Sequence, residues 1–273
     1  MWGPRSALLT ILGDYVRHGE GEVGIGSLAK LLGNLGLSEQ SVRSAVSRMC
    51  KARLLRGRRQ RHKSYYSLTD KGYDLLNKGA QRIFHRHEEP WDNVWTLFIY
   101  SVPEDRRDLR HQLRIELGLA GFGPLTAAAW ISPRNLTREA DELAGRIGVK
   151  EYVQVFRATH QGFLDPKSIV SRCWDLKRIH DRYDAFIRTY RPKYVRHVEL
   201  QDAGKALSSP SCFVDRFRLI EEYRRLPFFD PDLPEELLPR GWLRSEATSL
   251  FIDYHNLLAD SANRYFHEVL KSY

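Results

Sequence analysis

Residues 39–51 combine polar and cationic side chains at a spacing that suits contact with a nucleic acid. Their apolar positions recur at the spacing of a buried helix face and are Val42, Ala45, Val46 and Met49. The opposite face presents Gln40, Ser44, Ser47 and Lys51, with Arg43 and Arg48 beside them and Ser41 nearer the amino end. Serine permits close approach to a duplex, glutamine can pair with adenine, and arginine can pair with guanine or phosphate. We therefore predict that residues 39–51 form a recognition helix, here called the reader helix, that contacts bases in the major groove. The alternative is an ordinary helix face exposed to solvent.

A basic hairpin is predicted directly after this helix. Apolar residues 54–55 and the run 64–68 read as two short strands, and five cations lie between them at positions 56–63. Such clustered charges repel one another, which an anionic partner along the hairpin would relieve. A flexible basic loop is the alternative. The DNA contacts predicted in this region are Arg58, Arg59, Arg61, Lys63 and Tyr65.

The elements around these side chains follow the order of a winged helix-turn-helix. A first helix should run from Pro4 to about residue 17, and Ser27 can cap a second helix that Gly36 ends in a left-handed conformation. Ser38 can cap the reader helix, and Thr69 can cap a helix after the hairpin. Two amphipathic helices joined by a short glycine-containing turn are typical of this DNA-binding fold.

The distribution of charge supports a polyanionic partner. The net charge of the chain is +9, and residues 1–90 hold sixteen Lys or Arg against eight Asp or Glu. The remaining residues therefore contribute only +1. Neutralisation of phosphates supplies most of the sequence-independent affinity for DNA, so this localised excess fits a double-stranded DNA partner.

Several classes of protein are not favoured by the sequence. Three cysteines without a CxxC pair argue against a disulfide framework or a zinc site and fit a reducing cytoplasm. No signal-peptide core and no run of about 18 apolar residues is present, so neither secretion nor a membrane partner is predicted. Catalytic motifs such as HExxH and GxSxG are missing, and we predict no enzyme, no cofactor and no metal site, including at the His-rich run 85–90.

Several specific motifs occur along the chain. They are PRS at 4–6, GDYV at 13–16 and, above all, LSEQSVRSAVSRM at 37–49 followed by SYYSLT at 64–69, and further motifs are GFGPL at 121–125, WISP at 130–133, WDL at 174–176 and PFFDP at 227–231. With these motifs the chain resembles the PaaX family, bacterial repressors of phenylacetate degradation, and the likeness is weaker in the last two. It therefore covers nearly the whole chain.

This resemblance implies an α+β protein of three domains. They are a winged helix-turn-helix over residues 1–88, a ferredoxin-like, Cas2-like domain over 89–160 and a helical domain over 161–273. It also implies a homodimer that represses a phenylacetate-type aromatic catabolic operon. An aryl-CoA thioester, typically phenylacetyl-CoA, would release the repressor from its operator.

Apolar patterns support the middle domain independently of the resemblance. Strand-like runs at 94–102, near 122, at 127–131 and at 152–156 alternate with two helical patterns in the order β-α-β-β-α-β. A Cas2-like metal nuclease would need an aspartate at the end of the first strand, where Tyr100 stands instead. Metal-dependent cleavage is therefore the weaker interpretation.

Helices are predicted for the remainder of the chain. One begins after Asp165 and carries an apolar stripe as far as Tyr190, one lies near 213–226, and two more lie within 250–269. The sequence does not locate an effector pocket, and the candidate effector contacts are Trp174, Arg178 and Arg182. An architectural DNA-binding protein without an effector is the other alternative, but it would not need two additional domains.

Overall fold

The computed structural model describes residues 2–17, 21–84 and 90–273, with the side chain of Arg82 left out. The chain forms two compact units. The first contains Met1–His85, Ala185–Arg224 and Ser245–Tyr273, and the second contains Arg86–Asp184 and Arg225–Arg244. The domain boundaries predicted after residues 88 and 160 stay predictions, and the first of them lies outside the described residues.

The amino-terminal part of the first unit is a winged helix-turn-helix. Its elements are α1 (Pro4–Ile11), a π-helical turn (Leu12–Val16), β1 (Val23–Gly24), α2 (Ile25–Gly33), α3 (Glu39–Lys51), β2 (Leu55–Gln60), β3 (Lys63–Leu68) and α4 (Asp70–Phe84). The three strands form an antiparallel sheet in the order β1-β3-β2. The apolar faces of α1, α2 and α3 are buried together, so the opposite face of α3 remains in solvent.

Two details of this region differ from prediction. Ser27 is not a cap, because α2 begins at Ile25 and Gly24 is its N-cap residue. Ser27 is buried inside the helix. The earlier start follows from the short strand β1, which was not predicted and which pairs Val23 with Tyr66. The left-handed Gly36, with φ +82°, and the capping of α3 by Ser38 are confirmed.

The second unit contains the predicted ferredoxin-like domain. Its elements are β4 (Trp95–Tyr100), α5 (Arg107–Ala120), β5 (Gly123–Pro124), β6 (Ala129–Ser132), α6 (Thr137–Ile147) and β7 (Val153–Ala158). The antiparallel sheet has the order β5-β6-β4-β7, as the β-α-β-β-α-β pattern requires. Both helices pack on one face of the sheet around Phe98, Leu113 and Leu143. Gly121, with φ +100°, ends α5 in the left-handed region that favours glycine.

The remaining residues form helices that contribute to both units. They are α7 (Pro166–Cys173), α8 (Leu176–Asp202), α9 (Ser209–Tyr223), α10 (Leu226–Phe229) and α11 (Arg244–Ser272). The predicted cap Asp165 is confirmed, since it accepts a hydrogen bond from the Ser168 amide. The single helix predicted as far as Tyr190 is wrong, because extended backbone at Trp174 separates α7 from α8. The two helices expected within 250–269 are one continuous helix, α11.

Candidate nucleic-acid interface

Helix α3 presents the face that the sequence predicted. Ser38 caps it by accepting a hydrogen bond from the Ser41 amide at 3.3 Å, while the Ser41 hydroxyl donates to the Ser38 carbonyl at 2.7 Å. Ser41 is therefore half-buried and engaged with the cap. The other predicted contacts on this helix are exposed, namely Gln40, Arg43, Ser44, Ser47, Arg48 and Lys51. Together they form the solvent-exposed polar face of α3, and a major groove admits an α-helix.

The wing is a regular antiparallel hairpin of β2 and β3. Its register pairs Gln60 with Lys63, so Arg61 and His62 form a two-residue turn. Arg61 adopts φ +53°, in the left-handed region that normally favours glycine and costs other residues roughly 1 kcal/mol. The local backbone therefore does not explain why an arginine stands at this position.

The wing cations fall into two groups. Arg58 donates to the Glu22 carboxylate at 2.7 Å and lies 5.6 Å from the Tyr65 ring centroid, and its hydrogen bond lowers the pKa of Glu22. Lys63 donates to the main-chain oxygen of Tyr273 at the end of α11. By contrast, Arg59 and Arg61 are exposed and have no ion-pair partner within the part of the chain that the structure describes.

The sequence missed the two residues that hold these cations. Glu22 stands just before an unpredicted strand, and its nearness to Arg58 depends on the pairing of β1 with β3. Tyr273 is 210 residues from Lys63, and no local pattern relates them. Of the predicted wing contacts, Arg59 and Arg61 are thus not engaged in ion pairs within the described residues, whereas Arg58 and Lys63 already have partners.

Gly72 holds the base of the wing against α4. A methyl group on Gly72 would lie 2.3 Å from the Leu54 carbonyl oxygen, closer than real contacts allow. Gly72→Ala should therefore force the start of α4 away from the wing and lower the free energy of unfolding by roughly 2–3 kcal/mol, measured by urea denaturation. Gly79→Ala, in the same helix with open space around it, is the control. That control should raise the free energy of unfolding by about 0.5–1 kcal/mol. Equal effects of both changes would contradict the close packing of Gly72 against the Leu54 carbonyl.

The three candidate effector residues occupy different settings in the second unit. Arg178 and Arg182 lie one turn apart on α8, and the Arg182 guanidinium lies 3.4 Å from the exposed ring of Phe229. Partial burial, and secondly the charge of Arg178, lower the pKa of Arg182. Trp174 instead packs against Gly123, where a methyl group would meet its indole ring at 2.6 Å. The structure thus brings Arg182 to an aromatic side chain that was not predicted, and it leaves Trp174 half-buried against the apolar core of the second unit.

The described residues were compared with the requirements of a metal site and of a membrane-spanning helix. They contain no group of three His, Cys, Asp or Glu side chains arranged to hold a metal ion, and Tyr100 ends β4 where a Cas2-like nuclease needs an aspartate. The run 85–89 lies outside the described residues. Within the described ranges, no helix combines the length and apolarity required to cross a bilayer.

Comparison with known proteins covers almost the whole chain. Three family models match in succession: "PaaX-like protein" over residues 3–72, "PaaX protein central Cas2-like domain" over 88–170 and "PaaX-like protein C-terminal domain" over 174–268. The transcriptional repressor PaaX of Escherichia coli strain K12 is 33% identical over 260 residues, which cover 94% of this chain and 81% of that protein. The uncharacterized protein Rv0674 of Mycobacterium tuberculosis has a similar fold, with a TM-score of 0.64, 23% identity and coverage of 97% and 98% of the two chains.

Proposed function

Because the chain belongs to the PaaX-like family of transcription repressors, we propose that it represses transcription by binding operator DNA through its winged helix-turn-helix. The exposed polar face of α3 beside two wing arginines without ion-pair partners carries this proposal. Arg59 and Arg61 would neutralise phosphates, and Gln40 and Ser44 would face the base edges. In this proposal the protein is a cytoplasmic regulator without a catalytic role.

We further propose an aryl-CoA thioester such as phenylacetyl-CoA as the signal that releases the DNA, and a phenylacetate-type operon as the target. The family resemblance supports both, as it supports a homodimer and the division into domains at 1–88, 89–160 and 161–273. Arg178 and Arg182 could pair with the phosphates of CoA, because guanidinium groups bind phosphate in a bidentate manner. Exposed Phe229 beside Arg182 could pack on an aryl group.

A gel shift tests these proposals separately. The probes are duplexes from the promoters of neighbouring genes, and the additions are phenylacetyl-CoA, acetyl-CoA and free CoA. The expected result is a shift of one promoter duplex that phenylacetyl-CoA alone reverses. Failure to shift any duplex at low ionic strength would refute DNA binding. A shift that no thioester reverses would refute only the effector, and Arg178→Ala with Arg182→Ala should preserve the shift while weakening its reversal.

Replacement of Gln40 or Ser44 should change which operator sequences are preferred. Each side chain that contacts a base edge contributes about 1–3 kcal/mol of discrimination at one base pair. The loss of affinity should therefore be confined to particular sequences. Selection of binding sites from a random library by wild type, Gln40→Ala and Ser44→Ala measures this preference. Lys51→Ala is the control and should weaken binding to all sequences alike. Uniform losses for Gln40→Ala and Ser44→Ala would contradict direct readout by α3.

A further inference from the structure

Helix α1 carries a polar stripe that DNA contact does not explain. Ser6 and Thr10 lie one turn apart on α1, and Asp14 follows one turn later in the π-helical turn. Ser6 and Asp14 also belong to the sequence motifs PRS and GDYV. The stripe faces α9 and α11 within the first compact unit, while other residues of α1 pack on α3.

Asp14 forms the first of two buried charge clusters along this stripe. Its carboxylate accepts hydrogen bonds from Arg216 of α9 at 3.0 Å and from His255 of α11 at 2.8 Å. The three side chains are only 7–14% exposed. Burial by itself raises the pKa of Asp14, but the His255 hydrogen bond and the Arg216 charge outweigh it, and the net pKa lies below its ordinary value. Asp14 is therefore a buried carboxylate that stays charged at neutral pH.

Glu221 of α9 forms the second cluster at the other end of the stripe. Its carboxylate is fully buried and accepts hydrogen bonds from the Ser6 hydroxyl at 3.0 Å and from the Thr10 hydroxyl. Arg224 lies 3.1 Å from the same carboxylate and also donates to Ser6. The two clusters thus fix α1 at both ends against the same helix. We call these seven residues the α1 joint: Ser6, Thr10, Asp14, Arg216, Glu221, Arg224 and His255.

Apolar contacts already hold α1 without these charges. Tyr15 stacks on Phe266 at 4.8 Å and lies 5.4 Å from Phe213, and Trp2 meets Phe217 edge-on at 5.5 Å. Buried ion pairs add little net stability, because desolvation offsets their attraction, but their hydrogen bonds form only at particular distances and angles. The Asp14 cluster just beyond α1 and the hydroxyls of Ser6 and Thr10 on Glu221 therefore favour one rotation and one axial position of α1. Since α1 packs on α3, that restriction reaches the reader helix.

We propose that the α1 joint positions the reader helix for its operator, so that the carboxy-terminal helices α9 and α11 determine how well α3 fits specific DNA. The proposal rests on the proposed function in operator binding. Its residues are positioning residues, remote from the DNA-contacting face of α3. Affinity for arbitrary DNA depends on the wing cations and should not change when the joint is weakened.

A pair of matched asparagine variants tests the joint. Asp14→Asn removes one carboxylate charge from the joint. Asp230→Asn removes the carboxylate charge from a similarly buried Asp–Arg pair in the second unit, where Arg244 is the partner. The probes are the duplex of about 30 base pairs that the wild type selects from a random library and a scrambled duplex of equal length. Asp14→Asn should lower the affinity for the selected duplex about tenfold and the affinity for the scrambled duplex by less than about twofold. Asp230→Asn should leave both affinities within about twofold of wild type.

If an asparagine variant does not fold, the milder variants Arg216→Lys and Arg244→Lys replace the asparagine pair. Lysine retains the positive charge but lacks the planar, forked donors of the arginine guanidinium. Circular dichroism and a thermal scan establish that each variant is folded at the assay temperature. An unchanged preference for the selected duplex in folded joint variants would overturn the proposal. An equal loss in the Asp230 or Arg244 control would do the same. Failure of wild type to bind either duplex would instead refute the proposed function.

Discussion

Replacing Arg58, Arg59 and Arg61 together with alanine should weaken binding to every DNA sequence and flatten the dependence of affinity on salt. Each phosphate contact contributes about 0.9 to the slope of log K against log salt concentration. The slope should therefore fall by about 2.7 if all three arginines meet phosphate. It should fall by about 1.8 if Arg58 remains on Glu22, because only Arg59 and Arg61 would then contact the duplex.

Fluorescence anisotropy with a labelled duplex at a series of salt concentrations measures this slope. The matched control replaces Arg107, Arg114 and Arg138, three exposed arginines of the ferredoxin-like domain, and removes the same net charge. The control should leave the slope unchanged, since long-range charge alone is screened within about 10 Å at 0.1 M salt. An unaltered slope in the wing variant would exclude the wing from the DNA interface.

Replacing Asp230 with alanine should have the largest effect on stability. Its buried carboxylate accepts hydrogen bonds from the Tyr183 hydroxyl at 2.6 Å and from Arg244 at 2.7 and 2.8 Å. Arg244 also donates to the Leu233 carbonyl at 2.9 Å, so the pair fixes segment 225–244 internally, while Tyr183 joins Asp230 to the rest of the second unit. Removing one partner of a buried pair typically costs about 3–5 kcal/mol, and Arg244 would keep the more exposed Asp232, 3.6 Å away, as a carboxylate neighbour.

Urea denaturation followed by tryptophan fluorescence measures the loss for Asp230→Ala. The control is Glu246→Ala, which removes an exposed ion pair with Arg191 at 2.5 Å. Both of its partners are nearly half exposed, and such pairs contribute at most about 1 kcal/mol. If Asp230→Ala cost no more than this control, the pair would be an incidental contact.

The sequence by itself determined the elements that local patterns encode. Apolar spacing placed α3 and its exposed face, the Ser38 cap set its first residue, and alternation of strands and helices predicted the ferredoxin-like order. These features depend on residues a few positions apart, so a single chain segment contains the information. The errors at Ser27 and Trp174 concern helix ends where distant segments meet. Strand β1 precedes α2 and pairs with β3 only in the folded chain, and Trp174 packs against Gly123 of β5.

Only the tertiary structure decided which of the predicted cations are already engaged and what holds the DNA-binding helices in place. Glu22 reaches Arg58 through strand pairing, and Arg216 reaches Asp14 across 202 residues of sequence. Before folding, such side chains are solvated charges without a preferred neighbour. Burial makes their pairing specific, because a charge removed from water must find a partner, and the packing of distant helices selects which one.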